Sequence, residues 1–102
     1  MRKLFQILHF ACALALLASF NDAKAETYRV ITTTFEPFTD PEHPDGGFLV
    51  KIAKEALALQ GHELQVEYKP WARAISEASS GKYDGLLSAF YNEERARVFH
   101  FS

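Results

Sequence analysis

From residue 26 onward, apolar and polar positions follow two rhythms, one of period two and one near 3.6. Residues 28–34 (Tyr-Arg-Val-Ile-Thr-Thr-Thr) are dense in β-branched and aromatic side chains and predict a strand. Residues 35–47 predict a loop: Pro37, Pro41 and Pro44 cannot continue a ladder, and Asp45-Gly46-Gly47 is turn chemistry. A helix follows over 48–60, with Phe48, Ile52, Ala56 and Leu59 on one apolar face. Leu49, Ala53 and Leu57 widen that face, and Lys51, Lys54 and Glu55 are polar. Gly61 ends it. Residues 63–68 alternate, Leu64, Val66 and Tyr68 against Glu63, Gln65 and Glu67, as a half-buried strand does. Pro70 suits the first turn of a second helix over 71–80, whose small apolar face holds Ala72, Ile75, Ala78 and Ser79. Gly81 closes that helix, Asp84-Gly85 turns, and residues 86–90 form a short apolar run of strand length. Asn92 is a good N-cap, with Glu93 and Glu94 in the first turn of a third helix.

The order strand, helix, strand, helix, strand, with helix-length connections, predicts an α/β fold: a β-α-β-α-β parallel open sheet with right-handed crossovers. No internal repeat or low-complexity segment interrupts it. Ligands of open parallel sheets bind beyond the carboxyl ends of the strands. In this sequence those ends carry Thr34-Phe35, Pro70-Trp71 and the segment from Ser88 to Tyr91. The helix starts near Gly47, Pro70 and Asn92 belong to the same edge, so free N–H groups and positive dipole ends are expected to converge there. Phe35, Phe38, Trp71, Phe90 and Tyr91 cluster at that edge as an aromatic wall. Arg95 falls in the first turn of its helix, where a cation opposes the dipole, and an anionic ligand is one candidate to hold it. An aromatic wall with an arginine suits a small molecule that has a carboxylate and an apolar or planar part.

Residues 1–25 have the make-up of a secretory signal peptide. Arg2 and Lys3 form a basic start, 4–20 is almost unbroken apolar sequence, and Ala23-Lys24-Ala25 fits a small-x-small cleavage site. Cleavage after Ala25 leaves 77 residues as an expected exported, periplasmic chain, and the membrane is met only through the signal. Cys12 leaves with the signal, and its flanking His9-Phe10-Ala11 does not fit a lipoprotein site, so no disulfide and no cysteine nucleophile remain. From Glu26 there are 12 acids against 8 lysines and arginines, a net charge of −4 with no basic patch for nucleic acid. His43, His62 and His100 lack metal-ligand spacing, and no metal or other cofactor is expected. No Walker-type glycine loop is present, and Ser88 has no histidine near it in sequence.

Each candidate has a plainer alternative. Arg95 pairs with Glu94, Glu93 or a sheet-edge carboxylate, or it meets a ligand. Trp71 is a core residue or a pocket residue. Of Phe35 and Phe38, one is assigned to the pocket and one to the core. Arg73 reads as a solvated residue, Asp84 as a turn residue, and Glu36 as a loop-surface acid.

In this order and spacing the motifs resemble the family 3 extracellular solute-binding proteins, the periplasmic receptors of polar amino-acid ABC importers. The likeness rests on Pro37-Phe38-Thr39 after the first strand, Gly46-Gly47 opening a helix, and Pro70-Trp71-x-Arg73-Ala74. It is strongest at Gly81-x-x-Asp84-Gly85, Glu94-Arg95 and Phe101-Ser102. The resemblance implies most of lobe I of a type II periplasmic-binding-protein fold over 26–102, truncated before a second lobe. It implies that Arg95 grips a ligand carboxylate, Phe35 packs on the ligand, and Ser88 helps hold its polar head. Trp71 and Phe90 complete the expected ligand-binding set. Phe90 and Asn92 depart from the family pattern, in which a hydroxyl and a threonine usually stand there, and the ring at Phe90 shifts the expectation from a standard α-amino acid toward other carboxylates.

The expected function is binding of a small, polar, carboxylate-bearing solute for ABC-type import. The partners are that solute and, in the full-length protein, the membrane components of the transporter. The alternatives are a dehydratase-like periplasmic enzyme on the same scaffold, for which Glu36 is the one pocket-edge carboxylate, and a sensory module of a receptor.

Overall fold

The computed structural model describes residues 24–102. The expected signal peptide lies, but for Lys24 and Ala25, outside the described residues. The elements run β1 (Thr27–Thr32), α1 (Phe48–Leu59), β2 (Glu63–Tyr68), α2 (Trp71–Ser79), β3 (Gly85–Leu86) and α3 (Glu93–Ala96). Among the described residues they make an α/β unit on a three-stranded sheet of order β2-β1-β3. Both pairings are parallel. Thr27 faces Glu63 and the register holds through Thr32 and Tyr68, while Val30 and Ile31 face Gly85 and Leu86. β1 is central, and its successive residues Ile31 and Thr32, which face opposite sides of the sheet, are both fully buried.

Alternation along β1 also separates the two faces. Ile31 is fully buried against Ala74 and Ala78 of α2 and against Tyr83, and Trp71, Leu86 and Phe99 pack on this cluster. On the other side Tyr68, the register partner of Thr32, donates its hydroxyl hydrogen to the carbonyl of Gly46 at 2.7 Å, next to the buried Val50 of α1.

Both helices are turned relative to the expected faces. In α1 the fully buried residue is Val50, with Leu49, Ala53 and Leu57 half-buried. Phe48, Ile52 and Leu59 are 46, 57 and 90 % exposed. The apolar residues of α1 span two overlapping stripes, so periodicity alone does not choose between them. The start of the helix chooses: the N–H groups of Phe48 and Leu49 donate to the carbonyls of Pro37 and Phe38, which fixes the rotation. In α2 the buried positions are Ala74 and Ala78, with Trp71 and Ile75 partly covered, while Ala72 and Ser79 are exposed. Trp71 in the first turn packs on the core and sets the spacing 71, 74, 75, 78. On the outer face Arg73 pairs with Glu77 at 3.2 Å, an exposed contact of small energetic weight.

The central strand and one edge strand end earlier than the sequence predicts. β1 stops at Thr32, not Thr34, because the buried hydroxyl of Thr39 donates to the carbonyl of Thr33 at 2.6 Å and bends the chain away. β3 stops at Leu86, not Phe90. Leu87 still donates to the carbonyl of Ile31, but Ser88 then adopts φ 65°, a left-handed conformation that turns the chain out of the sheet. Asp84 does more than turn: its amide donates to the carbonyl of Arg29 at 2.7 Å and its carboxylate accepts from the Arg29 amide at 2.8 Å.

Tyr83 supplies a pH-dependent tie. Its hydroxyl donates to Glu67 of β2. That bond, burial and the charges of Glu67 and Glu77 push the phenol above its usual value, against the opposing pull of Arg29 over the ring. A folded-state value raised above the unfolded one gives stability that is complete below about pH 10 and is lost as pH rises through the raised value. Urea unfolding at a series of alkaline pH values is expected to show a shallower fall in stability for Tyr83→Phe than for the parent. Tyr28 and Tyr68, also shifted up, act alike in both proteins. Equal slopes would rule out the Tyr83–Glu67 bond as their cause.

Candidate functional site

The carboxyl ends of β1 and β3 and the start of α2 meet at one edge of the sheet. There Thr33, Thr34, Phe35, Trp71, Ser88 and Phe90 line an open cleft of about 160 Å³. Four of the five residues proposed from the sequence therefore stand in one place. The fifth, Arg95, is not in the lining. Its guanidinium lies over the Trp71 ring, 5.4 Å from the centroid, and one nitrogen donates to the carbonyl of Phe90 at 2.8 Å. Arg95 thus holds two of the three aromatic residues of the cleft from its rim, Trp71 through the ring and Phe90 through its carbonyl.

Each wall is built by its local sequence. After β1 the chain closes a tight loop in which the amides of Phe38 and Thr39 donate to the carbonyl of Phe35, and the amide of Phe35 donates back to Thr39. This loop presents the Phe35 ring, stacked on Phe38 with centroids 5.2 Å apart, and Phe38 in turn leans on Phe48 at the start of α1. Both Phe35 and Phe38 are partly exposed, so the expected split into one pocket and one core residue is not seen. Trp71 takes both roles offered for it. It packs on the Ile31 cluster and lines the cleft.

Ser88 is held by Thr32. The Thr32 hydroxyl donates to the carbonyl of Leu87 at 2.9 Å and lies 3.0 Å from the Ser88 hydroxyl. Thr32 has one hydroxyl hydrogen, so both bonds form together only if Ser88 donates to Thr32. In that arrangement Ser88 offers the cleft an acceptor, which suits a ligand N–H or O–H and leaves a carboxylate to Arg95.

The electrostatics differ from expectation in two respects. The α1 start is occupied by the Pro37 and Phe38 carbonyls, and at the α3 start the Asn92 side chain accepts the Arg95 amide at 2.7 Å. The start of α2, at Trp71, has no side-chain cap, so free N–H groups do not converge from three helices. Secondly, α3 is a single turn of four residues. So short a helix has almost no dipole to oppose Arg95, and the Phe90 carbonyl and Trp71 ring account for its position. Among the described residues Arg95 makes no ion pair, with Glu93, Glu94 or any other acid. Four of its five N–H donors have no acceptor among the described residues.

Glu36 is exposed and does not line the cleft. Among the described residues no group of three or more His, Cys, Asp or Glu side chains is placed to hold a metal ion. Two further lining residues, Thr33 and Thr34, are not in the expected ligand-binding set, although Thr34 is expected at the ligand-facing end of the first strand. Their position just after the true end of β1 is the signal that would have found them. Comparison of the chain with protein-family models, with curated proteins and with solved structures finds no match to any of the three.

Proposed function

We propose that the chain binds a small carboxylate-bearing solute in this cleft, as lobe I of a type II periplasmic binding protein that serves an ABC-type importer. The observation that carries the reading is the joint position of Arg95 and the aromatic walls. A guanidinium without an acidic partner among the described residues stands beside a cleft whose lining contains no charge. Charge-assisted bonds from arginine to a carboxylate are about twice as strong as neutral ones, and the planar fork favours a two-oxygen anion. The uncapped first turn of α2 adds a second favourable field for an anion. In a receptor of this kind a second lobe closes over the cleft, so binding is a population shift between open and closed forms with no chemical step.

Isothermal titration against paired probes tests the reading. Each pair is a small carboxylate, amino acids included, and the amide in which a neutral group replaces that carboxylate. The carboxylate is expected to bind at least about tenfold more tightly than its amide, one charged contact exchanged for a neutral one. Equal affinity for both members of every pair would overturn it.

A further inference from the structure

The cleft also constrains the part of the solute that is not the carboxylate. We infer that the ligand is a single-ring aromatic carboxylate, with the ring between the aromatic walls and the carboxylate on Arg95; this rests on the solute-binding reading above. Three rings, Phe35, Trp71 and Phe90, come from three separate segments and border one space. Its volume, about 160 Å³, is room for one ring, laid in an open cleft and not sealed inside. Polar contact is confined to one acceptor at Ser88, two threonines and the guanidinium at the rim. Phe35 and Phe90 are 48 and 72 % exposed, a large apolar surface for water to cover unless a flat partner does so. Aromatic rings favour offset or edge-to-face contact with such a partner, a geometry that an aliphatic chain cannot reproduce. No lining residue carries an acid to receive an ammonium group, so nothing in the lining rewards a zwitterion over a simple anion.

The probes are benzoate, propionate and benzamide, titrated into the full chain. Heat is one readout and the indole N–H resonance of Trp71, the single tryptophan, is the other. Benzoate is expected to bind about tenfold or more tightly than propionate, from the ring area it buries, and to outbind benzamide similarly. Phe90→Ser, a change at an exposed position, is expected to weaken benzoate at least about fivefold and propionate by clearly less, because the ring contact is lost only to benzoate. If propionate matches benzoate, the ring assignment falls and the carboxylate reading stands. If benzamide matches benzoate, the carboxylate reading falls and the inference falls with it. No binding of any probe overturns both.

Discussion

Gly47→Ala is expected to unfold the protein at room temperature or to leave it at the edge of unfolding. Gly47 has φ 97° and ψ 153°, a region essentially closed to residues with a Cβ. An added Cβ would lie 2.4 Å from the carbonyl oxygen of Phe38, 2.7 Å from its carbon and 2.8 Å from Cα of Thr39. All three are backbone atoms of the loop that presents Phe35, and the same Phe38 carbonyl accepts the amide of Leu49. No flexible side chain can move aside. The backbone conformation alone costs about 1–3 kcal/mol, and the overlap comes on top. A single small core supplies only about 3–5 kcal/mol in all. Gly61→Ala separates the two causes. Gly61 also has a positive φ, 80°, but a Cβ there meets nothing within 4 Å. That change is expected to cost about 1–2 kcal/mol and to leave a cooperative transition. Urea unfolding followed by circular dichroism compares them, and equal midpoints for the two variants would refute the crowding at Gly47.

Trp71→Ala is the second large effect, because one side chain serves both the core and the cleft. Truncation removes packing from the Ile31, Ala74 and Tyr83 cluster, the wall of the cleft and the surface on which Arg95 rests. Trp71 is half-buried, so the stability loss is expected at about 2–3 kcal/mol, below the ~3–5 kcal/mol of a fully buried tryptophan. Solute binding is expected to fall by more than the unfolded fraction explains. Trp71→Phe distinguishes the two roles, since it keeps an aromatic face in the cleft and most of the packing. It is expected to recover most of the stability and part of the affinity. If Trp71→Ala lowered stability alone, with affinity per folded molecule unchanged, Trp71 would be a core residue only.

The order and type of the main elements were legible because each has its own rhythm and its own punctuation. The alternation of 63–68, the glycines at 61 and 81 and the proline at 70 mark boundaries that the structure keeps within a residue or two. The faces of the helices were not legible. In α1 apolar residues occupy both candidate stripes, and the deciding contacts are carbonyls of Pro37 and Phe38, invisible to periodicity. The ends of β1 and β3 were hidden for a similar reason. The hydroxyl of Thr39 reaches back six residues, and Ser88 takes a left-handed φ that serine seldom adopts. The convergence of the candidate residues was more legible than the strand ends that bring them together. Ligand position in an open parallel sheet follows from topology, so knowing which residues follow each strand was enough to bring Phe35, Trp71, Ser88 and Phe90 together. The reason first given for Arg95 did not survive, since α3 is too short to have a dipole worth opposing. Its position over Trp71, unpaired with any described acid, gives it a different and more specific reason to matter.

The most direct measurement is a calorimetric titration of the parent, Arg95→Lys and Arg95→Ala with a small aromatic carboxylate at low salt. Arg95 is at the rim, outside the Ile31 core, so Arg95→Ala is expected to unfold in urea at nearly the parent midpoint. Its affinity is expected to fall about tenfold to a hundredfold, the range for losing a charge-assisted contact, with Arg95→Lys in between because it keeps the charge and loses the fork. Parent-like affinity in Arg95→Ala for every carboxylate that the parent binds would contradict the proposed site.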